Sequence, residues 1–247
     1  MDLLIALSWG LFAGSSLLIG AGVGWFAKPS PRLIAAVMAF GSGMLVSAIA
    51  FDLIDEAQAT GGLLASSAGF VAGAVGFTAG ALVLARAGAH GRKRSSRTDA
   101  SAATAAAAIA LGSVFDGIPE SIVIGLSLLE GEGVSLPIVA AIFLSNFPEG
   151  MSSSAGMKSS GLPARYVFGL WAGIAALCGL GSVIGYHFFA GVPQEYIAVA
   201  QGVAAGAMLA MIADTMIPEA FDEAHDAAGL ITAGGFLAAF LLSHMFS

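Results

Sequence analysis

Long apolar runs dominate this chain, each about 20 residues long, the length a helix needs to cross a hydrocarbon core. They can be read at Leu3–Phe26, Leu33–Ile54, Leu63–Ala85, Thr104–Leu129, Leu136–Met157, Tyr166–Phe189, Ile197–Ile217 and Leu230–Phe246. The pattern predicts an all-α membrane protein with eight transmembrane helices. It forms one transmembrane domain over residues 1–247, with a single markedly polar connection at about 87–100.

Composition agrees with a bilayer as the solvent. With 57% of its 247 residues hydrophobic and 10% charged, the chain lacks the polar surface that a soluble globule needs. The first run opens with Asp2 rather than a basic segment and has no Ala-x-Ala-like site before Pro29, so it is expected to remain as a span. The 34 glycines, with many alanines and serines, let membrane helices approach closely. The one cysteine, Cys178, excludes an intramolecular disulfide and lies inside the sixth run, where a buried thiol usually packs inertly.

Charge adds orientation. All nine Lys and Arg residues fall in three connections: Lys28 and Arg32; Arg86, Arg92, Lys93, Arg94 and Arg97; Lys158 and Arg165. With eight spans these connections share one side, and the positive-inside rule makes that side cytoplasmic. The expectation is a multi-pass protein of the cell membrane with both termini outside. The basic stretch from His90 to Ala100 reads as a topology determinant with some lipid contact rather than a nucleic-acid site.

The acids are placed differently. Asp116, Glu120 and Glu149 fall near the middle of the fourth and fifth runs, with no Lys or Arg nearby in sequence. An ionised carboxylate deep in a bilayer is costly, so protonation, a water-filled path or a bound cation must neutralise it. FDGIPES from Phe115 and LSNFPEG from Leu144 align Pro119 with Pro148 and Glu120 with Glu149. A proline inside a helix releases the carbonyl four residues earlier, here Phe115 and Leu144, and such oxygens suit hard or borderline cations. Asp116 and Glu120 share a helical face, as do Ser145 and Glu149, so two facing helices can enclose one site. The bland alternative is a pair of proline kinks with protonated, hydrogen-bonded acids.

Internal similarity extends further. GSGMLVSAIAFDLIDEA from Gly41 and AAGAMLAMIADTMIPEA from Ala204 share Gly43/Gly206, Ile49/Ile212, Ala50/Ala213, Ile54/Ile217, Glu56/Glu219 and Ala57/Ala220. GLLASSAGF from Gly62 matches GLITAGGF from Gly229 after one gap. Three helices are therefore expected to repeat, inverted, around a central pair, as in secondary transporters with midplane sites. Asp52, Asp55, Glu56, Asp214 and Glu219 lie toward helix ends and read first as solvated acids. His90, His187, His225 and His244 read as solvated or interfacial, and the cluster Asp222, Glu223, His225 and Asp226 as a secondary place for metal to gather. No nucleotide loop, nucleophile elbow or zinc hydrolase motif is present.

On these motifs the chain resembles the ZIP (Zrt/Irt-like) family of divalent metal transporters. SNFPEG at Ser145–Gly150 and DGIPES at Asp116–Ser121 look like that family's His-Asn-x-Pro-Glu-Gly motifs, and DLIDEA and MIPEA look like further family segments. The resemblance implies metal ligands at Glu120, Asn146 and Glu149, with Asp116 where the fourth-helix histidine would be and Met44 at a second-helix thioether position. Asp116 and Ser145 replace both motif histidines, Gly117 an asparagine and Ser121 a glycine, and Cys178 stands where many members place glutamate. The expectation is one oxygen-rich site centred on Glu120 and Glu149, with one or two ions left open and Ser145 contributing directly or through water. Oxygen donors weaken the preference for zinc relative to manganese, iron or other divalent ions.

The function expected is transport of a divalent cation (Zn, Mn, Fe, Co or Cd) toward the cytoplasm, the direction being implied by the resemblance. The alternatives are a proton-coupled transporter of another small cation and a non-transporting metal sensor; an enzyme is not expected. Expected partners are the ion and the lipid bilayer, with a homodimer left open and nucleic acid excluded.

Overall fold

The computed structural model describes residues 2–86, 102–130 and 133–246, and the polar connection at 87–100 lies outside them. Every regular element among the described residues is helical. α1 spans Asp2–Phe26; α2 spans Pro31–Ala48 and runs through a π-helical turn, Ile49–Leu53, into α3, Ile54–Arg86. α4 spans Ala102–Ser127, α5 Leu136–Ser159 and α6 Ala164–Phe189. α7 spans Gln194–Met211 and passes through a second π-helical turn, Ile212–Met216, into α8, Ile217–Ala224; α9 spans Ala228–Phe246.

Local chemistry fixes several of these starts. Ser30 and Ser135 accept hydrogen bonds from the backbone amides of Leu33 and Ile138, and Pro31 and Pro137 sit in the first turns, where no amide donor is needed. The second apolar run was expected to end at Ile54, yet helical hydrogen bonding continues to a break at Gly62 (φ 82, ψ 166). Asp55 and Glu56 end the apolar run without ending the helix, because apolarity follows the thickness of the solvent layer and helicity follows the backbone. For the same reason the seventh run continues past Ile217 to Ala224. There the break falls at His225 (φ 45, ψ −123), in backbone geometry that favours glycine.

Among the described residues, Asp2–Phe26, Pro31–Val83, Ala164–Phe189, Gln194–Ala224 and Ala228–Met245 are five helical stretches long and apolar enough to cross a membrane. Their outward faces carry Leu4, Leu64, Val75, Phe188 and Leu230, all exposed. An apolar surface of this extent belongs in lipid.

Glycines set how the rods meet, since each lets a neighbouring backbone approach where a Cβ would collide. Gly20 and Gly24 of α1 lie under Phe147 and Met151 of α5, and Gly150 of α5 lies under Leu17, so α1 and α5 run parallel. Gly10 and Gly14 meet α6 in the opposite sense, at Ser182 and Ala175. Gly125 and Gly185 join α4 to α6 in parallel. Gly43 of α2 meets Thr232 and Phe236 of α9, and Gly206 of α7 meets Phe70 and Ala74 of α3; Gly235 meets Phe40, and Gly73 meets Val203. These contacts correspond if Gly43 is paired with Gly206 and Gly235 with Gly73. That pairing is one helical turn away from the match of the Gly62 and Gly229 segments read from sequence. The two π turns also fall at paired positions, beginning at Ile49 and Ile212.

Candidate functional site

α4 and α5 are antiparallel and carry the Pro-Glu motifs through unbroken helix, with Pro119 and Pro148 both internal. Their acids are buried: Asp116 is 3% exposed, Glu120 2% and Glu149 7%. Between Thr98 and Met157 the sequence contains no Lys, Arg or His.

The two motif glutamates each face a serine of the opposite helix. Ser113 of α4 donates to Glu149 Oε1 at 2.5 Å, and Ser145 Oγ of α5 stands 3.5 Å from Glu120 Oε1. These contacts are unequal. Ser145 Oγ also lies 2.9 Å from the carbonyl of Ile142, so its one proton is shared between that carbonyl and Glu120. Hydroxyl and carboxylate oxygens are the donor types that hard or borderline cations take.

Asn146 is buried next to Ser145 on α5. Met44 is buried in an apolar cluster with Leu45, Ala48 and Ile142, one turn beyond Gly41, whose backbone abuts Leu144 and Ser145. The Leu144 carbonyl, which Pro148 releases, lies toward α2, 2.9 Å from where a Cβ of Gly41 would stand. Among the described residues, no three His, Cys, Asp or Glu side chains converge closely enough to hold an ion, so any ion here would also need Ser, Asn or backbone oxygens.

Sequence reasoning missed Ser113. Its signal was its place seven residues before Glu120, two turns along the same face, in a stretch whose serines look like packing. Cys178, read as inert, is buried against the site: its sulfur lies 3.5 Å from where a Cβ on Gly117 would stand. Ser113, Gly117 and Cys178 border a void of about 10 Å³. That is near the least space that holds one water.

The two ends of the site differ. On one side Val123, Ile124, Ile138, Val139 and Ile142 are buried in about two helical turns of apolar packing. Beyond them a cavity of about 450 Å³ opens, lined by Asp2, Trp9, Leu128, Val134 and Tyr186 among others. On the other side the buried residues of α5 are Gly150, Met151, Ser153, Ser154, Gly156 and Met157, of which Gly150 and Ser154 meet Leu17 and Ala21 of α1. Lys158 donates to the carbonyl of Trp25 and lies over its ring. Asp52, toward the end of the α2 rod, accepts from Ser243 at 2.7 Å, apart from the α4 and α5 acids. Comparison with protein-family models and with curated proteins gives no match.

Proposed function

We propose that this chain transports a divalent metal cation across the membrane, through an oxygen-rich site made by Glu120 and Glu149 with Asp116, Asn146 and Ser145. One observation carries the reading: three buried carboxylates lie on two facing helices in a stretch without Lys, Arg or His. A structural role would more simply use neutral side chains, because desolvated acids cost several kcal/mol each. Resemblance of the Pro-Glu motifs to the ZIP family supports the same reading, and oxygen donors favour manganese or iron alongside zinc, cobalt and cadmium.

The architecture proposed for this function is eight spans, with α4 and α5 between two inverted sets of three. The corresponding glycine contacts, the paired π turns and the breaks at Gly62 and His225 support it. The arms also pack in opposed senses: α2 lies against α8, while the π turn after α2 lies against α7. Lys28, Arg32, Lys158 and Arg165 mark the cytoplasmic side on this topology.

Proteoliposome uptake of Mn, Fe, Co, Ni, Zn and Cd at two pH values tests the proposal. Wild type should move at least one ion, and Glu120→Gln combined with Glu149→Gln should reduce that uptake to the rate of empty vesicles. Absence of flux for all six ions by folded protein, or undiminished flux in the double variant, overturns it.

A further inference from the structure

We propose that Ser113 is a positioning residue of the cation site, holding the Glu149 carboxylate by one oxygen before the ion arrives; the inference rests on the transport reading above. Serines on apolar helices ordinarily return their proton to a carbonyl of their own helix. Ser16, Ser42, Ser121 and Ser127 do so here, to Ala13, Met38, Gly117 and Ile124, and Ser145 does so to Ile142 while its contact across to Glu120 is the longer, at 3.5 Å. Ser154 crosses between helices to a backbone carbonyl, and Ser243 crosses to Asp52, away from the central pair. Ser113 crosses from α4 to a buried acid of α5, at 2.5 Å.

The geometry gives this contact a task beyond packing. Ser113 is 3% exposed and lies on the same face of α4 as Glu120, two turns away, so it reaches across to the acid of one motif from the helix of the other. The backbone beside Glu149 is already fixed, because Gly150 packs directly under Leu17 of α1. The Ser113 hydroxyl holds the end of the side chain at Oε1. A carboxylate restrained in this way gives up less conformational freedom when it coordinates, so the loss of its partner should appear in affinity. The turnover step, which moves helices, should be little affected.

Uptake of zinc and of manganese into proteoliposomes separates this role from packing. For Ser113→Ala, the half-saturating concentration should rise about 10-fold, the lower end of what removing a ligand's hydrogen-bond partner does. The maximal rate should stay within about twofold, as expected when binding and not the chemical or conformational step is lost. Ser113→Thr keeps the hydroxyl and should recover most of the affinity. Zinc titration followed by thermal unfolding of detergent-solubilised protein should show the same order of affinities without any flux. Wild-type affinity in Ser113→Ala overturns the inference, as does an equal loss of maximal rate in both variants at unchanged half-saturation. Either result leaves the transport reading standing if the glutamate variants are inactive. A wild type that moves no ion is the failure of that reading, and this inference falls with it.

Discussion

Gly150 and Gly173 are both helix-interior glycines, yet a methyl group at each meets opposite surroundings. At Gly150 it would collide with the carbonyl of Leu17, which belongs to packed backbone and has no rotamer to yield; at Gly173 nothing lies within 4 Å. Gly150→Ala should therefore cost about 1–3 kcal/mol of stability through forced separation of α1 and α5. Gly173→Ala should change stability by less than about 0.5 kcal/mol, as surface substitutions do. Thermal unfolding in detergent distinguishes the two, and Gly150→Ala should also weaken uptake because Glu149 is its neighbour. Sequence could not rank these glycines. It shows that 34 are present and leaves open which of them face a helix and which face lipid.

At the scale of elements, the breaks at Gly62 and His225 end two rods whose sequences match, but only one uses the residue suited to it. Gly62 has open space around it, so Gly62→Ala should lose about 1–3 kcal/mol through backbone conformation alone. His225→Gly should gain about 1 kcal/mol by relieving a conformation rarely adopted by side-chain-bearing residues. Chemical or thermal denaturation of the two variants in one detergent gives both signs. Apolar runs made the rods legible, since about 20 residues of lipid-compatible sequence have few other uses. The helical extension beyond Ile54 and Ile217 was not legible, because Asp55, Glu56 and Glu219 read as solvated acids at helix ends when hydropathy is the guide. The π turns were equally hidden, since Ile49–Leu53 and Ile212–Met216 contain nothing that forbids an ordinary helical turn.

Across the whole molecule, the buried acids of α4 and α5 set a link between stability and ligand. On the transport reading, an ion held at 100 times its Kd should stabilise the folded protein by roughly 2.7 kcal/mol. Adding zinc or manganese should thus raise the unfolding temperature, and a chelator should reverse the rise. The paired Glu120→Gln and Glu149→Gln variant should lose this response while becoming no less stable without metal, since desolvated charge has been removed. The Pro-Glu repeat made Glu120 and Glu149 legible as a pair, and burial on facing helices is where they are found. The Ser113 contact depends on how α4 and α5 rotate against one another, which no local pattern encodes. The paired π turns also carry a date. Each holds one residue more than an α-helical turn needs, and on the duplication reading an extra residue at matching places in both arms was inherited once. If the two arms arose from one, as the proposed repeat implies, the insertion is older than their joining, and the ancestral half-protein already had its irregular turn.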